Sequence, residues 1–115
     1  MLKINRKLIP TQYDYYSSDE IKTNKIWRNG KPIYRKVVNI GNLNNATSKT
    51  FTHGISNIDE FTFVYGEANN GYTWVKDVGF NDEVYWSKTT FTWNTKTNRS
   101  AFTAFITAEY TKTTD

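Results

Sequence analysis

Residues 101–110 read Ala-Phe-Thr-Ala-Phe-Ile-Thr-Ala-Glu-Tyr. In an extended chain Phe102, Ala104, Ile106, Ala108 and Tyr110 fall on one side. Thr103, Thr107 and Glu109 fall on the other, with Phe105 among them. A period of two predicts a strand that gives one face to a core and the other to solvent. The same period recurs upstream. Val84 to Trp93 (VYWSKTTFTW) predicts a strand with a bulge in its middle, Phe91 and Trp93 sharing a face. Glu60 to Tyr65 alternates with Phe61, Phe63 and Tyr65 on one face. Asn69-Asn70-Gly71 is a tight-turn signal, and Tyr72 to Val75 returns, so 60–78 predicts a hairpin.

Further upstream, Thr50-Phe51-Thr52 is a brief strand. His53-Gly54 and Asn57 punctuate a connector with Ile55 and Ile58, read as one helical turn. Lys25 to Arg28 and Ile33 to Ile40 are two strands joined by the Asn29-Gly30 turn. Asn42 to Ser48, Gly79 to Asp82 and Thr95 to Ser100 are polar connections. Strands at this spacing predict an all-β fold: a mainly antiparallel, jelly-roll-like β-sandwich of six to eight strands with short loops. It occupies residues 21–115, after an arm at residues 1–20 that carries Pro10 and three tyrosines, Tyr13, Tyr15 and Tyr16. The tyrosines predict that the arm is pinned to its own domain or to a partner chain.

Composition agrees. The 115 residues make one domain. Aromatics are 17%, whereas Leu occurs only at Leu2, Leu8 and Leu43, so rings must supply much of the core. Thr and Asn contribute 17 and 13 residues, which suits strands and turns. With no Cys there is no disulfide framework or thiolate chemistry. No apolar run is long enough to span a membrane, and the basic N-terminus lacks the apolar stretch of a signal peptide. The net charge of +4 is uneven: residues 1–57 hold ten Lys/Arg against three Asp/Glu, and residues 58–115 hold five against eight. The basic residues are spread as solvated strand faces spread them, and no nucleic-acid motif accompanies them, so no nucleic-acid partner is expected.

Catalytic chemistry is hard to assemble. A triad would have to use His53, the one histidine, and no G-x-S-x-G turn presents a serine. The acids Asp59/Glu60, Asp77 and Asp82/Glu83 sit on strands or in turns, without a pairing that suggests a glycosidase. The Asn81-Asp82-Glu83 cluster lacks EF-hand spacing, so neither a metal nor a cofactor is expected. The reading is of a protein that is not an enzyme. What remains is aromatic rings beside amides and carboxylates. A sugar's C–H face packs on a ring while planar polar groups bind its hydroxyls. Asn69, Asn70, Tyr72 and Trp74 in one hairpin, with Asn81, Asp82, Tyr85 and Trp86 beyond it, are the candidate ligand-binding residues. Phe61, Phe63, Phe91, Trp93, Phe102 and Tyr110 are the expected core. Tyr13, Tyr15, Tyr16, Tyr72, Tyr85 and Trp86 are left for a partner or a sugar.

Three stretches in this order carry a family likeness. The first is Tyr16-Ser17-Ser18-Asp19-Glu20 with Lys25-Ile26-Trp27-Arg28-Asn29-Gly30-Lys31-Pro32-Ile33-Tyr34-Arg35-Lys36; the second is Thr52-His53-Gly54-Ile55-Ser56-Asn57-Ile58-Asp59; the third is Ala108-Glu109-Tyr110-Thr111-Lys112-Thr113-Thr114-Asp115. Together they resemble a small domain of tail-associated proteins (tail fibre, baseplate or receptor-binding) of bacteriophages and prophages of Gram-positive bacteria. The resemblance runs from about Tyr16 to Asp115. It implies a virion domain, or one released from the bacterial cytoplasm on lysis, that attaches to the host through a cell-surface glycan, often as a homotrimer. The alternative is a trimerisation or capping domain with no ligand of its own. Domains of this family usually end a longer chain, whereas about 15 residues precede this one. It is therefore read either as a small stand-alone protein or as a fragment.

Overall fold

The segment with the cleanest alternation becomes the middle of the larger of two sheets. The computed structural model describes residues 15–76 and 82–115. The expectations for Tyr13, for Asn81, for the turn beginning at Gly79 and for the arm before Tyr15 lie outside those residues. Eight strands are described: β1 (Ile21–Ile26), β2 (Pro32–Asn42), β3 (Ser48–Thr52), β4 (Ile58–Asn69), β5 (Trp74–Lys76), β6 (Glu83–Trp86), β7 (Thr90–Asn94) and β8 (Thr103–Lys112). They form a five-stranded sheet in the order β1-β2-β8-β4-β5 and a three-stranded sheet in the order β3-β7-β6. Every pairing is antiparallel. The fold is the expected all-β sandwich. β2 with β8 and β3 with β7 are nested pairs, the winding a jelly roll uses.

The core lies where the inner faces meet. Val38 and Ile40 of β2, Ala68 of β4, Ala104, Ile106, Ala108 and Tyr110 of β8, and Phe91 and Trp93 of β7 are buried together. Small residues on the large sheet receive large rings from the small one. The contact is closest at Gly66, where a Cβ would stand 2.7 Å from Cζ3 of Trp93 and 3.0 Å from Cγ2 of Val84. Only hydrogen fits there. At the β1–β2 turn Gly30 has φ of 86°, in the left-handed region, and its N–H donates to the Trp27 carbonyl at 2.8 Å. The Asn29-Gly30 signal thus marks a real turn.

Four expectations are corrected. Val84–Trp93 is two strands, not one bulged strand. The chain reverses at Ser87, whose N–H donates to the Thr90 carbonyl and whose Oγ accepts from the Thr89 and Thr90 N–H groups. No Gly or Asn advertises that turn. The first strand begins at Ile21 rather than Lys25, with Thr23 Oγ1 donating to the Ile33 carbonyl at 2.6 Å. The connector after His53 forms no helical turn. It is held by buried Ile55 and by His53, whose Nδ1 accepts the Ile55 N–H at 3.1 Å while Nε2 lies 3.0 Å from the Ser87 carbonyl. Finally, Phe61 and Phe63 do not share a face. The register against β8 slips between them, Phe61 opposing Tyr110 and Phe63 opposing Glu109. A bulge at Thr62 therefore keeps Phe61 inward and turns Phe63, then Tyr65, outward.

The end of the arm is pinned. Ser17 carbonyl accepts the Val37 N–H at 2.8 Å, and the Glu20 carboxylate accepts from Tyr110 Oη at 2.6 Å and Lys112 Nζ at 2.7 Å. No helix among the described residues is long and apolar enough to cross a membrane.

Candidate functional site

The expected ligand residues divide between two sheets. Asn69 ends β4 on the outer face of the large sheet, opposite Trp74 of β5. Its Oδ1 accepts the Gly71 N–H at 3.1 Å, and Asn70 Oδ1 accepts the Tyr72 and Thr73 N–H groups at 3.0 and 2.8 Å. Both amides thus shape the turn, a local use of Asn side chains that competes with ligand binding. Tyr72 stands at the hairpin tip, 95% exposed, and Trp74 is half exposed beneath Lys76, whose Nζ lies 5.6 Å from its ring centroid. Tyr85 and Trp86 lie on β6, in the small sheet. Tyr85 Oη donates to Glu83 at 2.8 Å, and that bond to a carboxylate raises the phenol above its ordinary pKa. Trp86 leans on Phe61 at the sandwich edge, centroids 6.5 Å apart.

Asp82 belongs to the interior. Its side chain has no exposed area, and it accepts from Trp93 Nε1 at 3.0 Å, Thr95 Oγ1 at 2.7 Å and Arg99 Nε at 3.2 Å. A buried carboxylate is stable only when partnered in this way. Its place is that of a core anchor, not of a ligand-binding group. The other polar candidates for chemistry that lie among the described residues are also engaged; Asp77 lies outside them. Lys31 Nζ binds Asp59 at 3.0 Å, and that hydrogen bond holds the carboxyl below its usual range against some opposing desolvation. Glu60 accepts from Trp27 Nε1 at 3.1 Å. His53 is packed against Phe91 with centroids 4.6 Å apart, and its accepting Nδ1 puts the ring proton on Nε2. Among the described residues no group of His, Asp and Glu is arranged to hold a metal ion.

The outer face of the five-stranded sheet has a different character. A groove of about 390 Å³ is lined by Tyr16, Val37, Phe63, Tyr65, Glu67 and Thr107. Strand register explains the set. Val37 opposes Thr107 and Thr107 opposes Tyr65, so β2, β8 and β4 contribute one row. Phe63 and Tyr65, two residues apart on β4, lie within 9° of parallel with centroids 6.1 Å apart. Phe63 is 49% exposed and Tyr16 65% exposed. Val37 and Thr107 make the floor, the rings of β4 make one wall, and Tyr16 from the arm makes the other.

That second wall stands on a buried ion pair. Arg35 and Glu109 face each other across β2 and β8, each side chain less than a tenth exposed. Arg35 Nε and Nη2 both lie 2.8 Å from Glu109 Oε2, and Nη1 donates to the Tyr15 carbonyl at 3.3 Å. The Tyr16 ring sits over the guanidinium, 4.4 Å from its carbon. A cation under an aromatic face contributes about 0.5–2 kcal/mol. Glu109 also accepts from Lys25 Nζ at 3.4 Å, so it is the loss of Glu109 that would leave the buried Arg35 without its anion, at a cost of about 3–5 kcal/mol. Arg35 thus serves as the mount for Tyr16.

Two parallel rings, one of them half exposed, over a floor of small residues, with a hydroxyl and a carboxylate alongside, can take a flat ligand that is apolar on its faces and polar at its edges. Phe63, Tyr65, Glu67, Thr107 and Val37 were not among the residues the sequence singled out. Tyr16 was among the rings left for a partner or a sugar. The missing signal was the bulge at Thr62, since unbroken alternation puts Phe63 in the core with Phe61. No protein-family model, curated protein or solved structure matches the chain.

Proposed function

We propose that the chain is a non-enzymatic bacteriophage tail module that helps attach the particle to a Gram-positive host by binding a cell-wall carbohydrate. The observation that carries this reading is the groove on the outer face of the large sheet, with half-exposed Phe63 and partly buried Tyr65 on one side and exposed Tyr16 on the other. Contiguous exposed rings of this kind are a feature of binding surfaces. The family likeness of the Tyr16–Glu20 and Lys25–Lys36, Thr52–Asp59 and Ala108–Asp115 stretches supplies the setting. Sugar rings stack on Phe63 and Tyr65, and Glu67 and Thr107 bind hydroxyls at their edges.

Cosedimentation with purified Gram-positive cell walls tests it. The wild-type protein pellets with walls, and Phe63→Ala and Tyr65→Ala stay in the supernatant with unchanged circular dichroism. Wild-type protein that pellets with no wall preparation would sink the reading. A second reading, a trimerisation or capping domain with no ligand of its own, draws on the same exposed rings, because a subunit interface also buries them. Light scattering after size exclusion separates the two: a trimer that Phe63→Ala dissociates, and that ignores cell walls, favours the second.

A further inference from the structure

We propose that the site extends beyond the groove along the outer face of β4 from Phe63 to Asn69, so that the ligand is an internal stretch of a linear polysaccharide rather than a single terminal sugar. This rests on the carbohydrate-binding reading above and names the shape of the ligand. From the bulge at Thr62 onward, every second residue of β4 faces outward: Phe63, Tyr65, Glu67 and Asn69. The alternate residues Gly66 and Ala68 are buried inward, which fixes the assignment. The six steps from Phe63 to Asn69 cover about 20 Å, the length of several pyranose rings.

The track has three stations in order. Phe63 and Tyr65 form the first, nearly parallel and on one wall of the groove. Glu67 forms the second with its cross-strand neighbour Lys76, Nζ 4.0 Å from Oε2. Such a pair is mostly solvent-screened, and it sets an acceptor beside a donor, which suits the adjacent hydroxyls of one sugar. The third is Trp74, half exposed and directly opposite Asn69. The aromatic stations lie at the two ends of the track, with the polar station between them. A single sugar can occupy one aromatic station; only a chain occupies both. Trp74, a residue the sequence had already marked, thus joins a site whose other end the sequence did not reveal.

The experiment uses the full chain and oligosaccharides of one to eight residues, sized from a partial hydrolysate of whichever purified Gram-positive wall polysaccharide the protein retains. Isothermal titration gives affinity against length. The expected result is a rise in affinity up to about four or five residues. Trp74→Ala weakens the longer oligosaccharides by about tenfold and leaves the mono- and disaccharide unchanged. Phe63→Ala weakens every length. Affinity that is already maximal at one or two residues, with Trp74→Ala silent, would overturn the extended site while leaving carbohydrate binding in place. Retention of no wall polysaccharide would overturn both. Circular dichroism and unfolding midpoints of each variant show that a lost affinity is not a lost fold.

Discussion

Replacing Asp82 distinguishes a core anchor from a ligand-binding group, and the structure sets the size of the effect. In Asp82→Ala the Nε of Arg99, a side chain only 11% exposed, loses the Asp82 carboxylate. A hydrogen bond to a charged group is worth about 1.5–3 kcal/mol. Trp93 Nε1 and Thr95 Oγ1 also lose their acceptor. An orphaned buried donor costs about 1–3 kcal/mol. Because the three bonds share one carboxylate the losses do not add fully, and about 4–6 kcal/mol is expected. Asp82→Asn is gentler. With its oxygen turned toward Trp93 and Arg99, the amide nitrogen faces Thr95 Oγ1, which can accept and redirect its own proton to the Thr97 carbonyl 3.2 Å away. Only the charge is lost, at about 1–3 kcal/mol. For a chain of this length 1 kcal/mol shifts Tm by about 4 °C. The thermal midpoint followed by near-ultraviolet circular dichroism should therefore fall by about 4–12 °C for Asn and about 16–24 °C for Ala. An Asp82→Ala protein that melts within a degree or two of wild type, yet no longer binds cell walls, would refute the assignment and restore Asp82 to the ligand site.

Three further outcomes follow from the packing and the titrating groups. Gly66→Ala places a methyl group 2.7 Å from the Trp93 ring, and this overpacking should cost about 1–3 kcal/mol in urea unfolding; unchanged stability would mean that the sheets are not in close contact there. Burial, followed by the hydrogen bond to Glu20, pushes the Tyr110 phenol well above its ordinary value. Its contribution is then fully present below about pH 10 and lost as pH rises further, so Tyr110→Phe should flatten the fall in urea midpoint between pH 9 and 11. The Asp59 carboxyl is held low by Lys31, so its contribution is present above about pH 4 and lost as pH falls through the folded value. Asp59→Asn should lower the urea midpoint at pH 7 and make the acid decline below pH 4 shallower than in wild type.

Strands and turns with strong local signals were legible in the sequence. The 101–110 alternation became β8, and Asn29-Gly30 and Asn69-Asn70-Gly71 became hairpin turns. The Ser87 turn was not, because a serine hydroxyl does with side-chain hydrogen bonds what Gly or Asn does by backbone preference. The site was only half legible for a related reason. Period-two reading assumes an unbroken ladder, and one extra residue at Thr62 exchanges inside for outside from Phe63 onward. Asp82 was misplaced because a carboxylate beside Asn81 looks like a surface turn. Its partners Trp93, Thr95 and Arg99 lie 11 to 17 residues away, and only the fold brings them together. The pairing of Asn69 with Trp74 was legible because their hairpin is local.

The central claim is that the working surface is the outer face of the five-stranded sheet. Cell-wall cosedimentation of two double variants tests it most directly: Phe63→Ala/Tyr65→Ala on that face and Tyr85→Ala/Trp86→Ala on the small sheet. The account predicts that the first pair abolishes binding and the second leaves it at the wild-type level, both proteins remaining folded. Binding that survives the first pair and disappears with the second would contradict it.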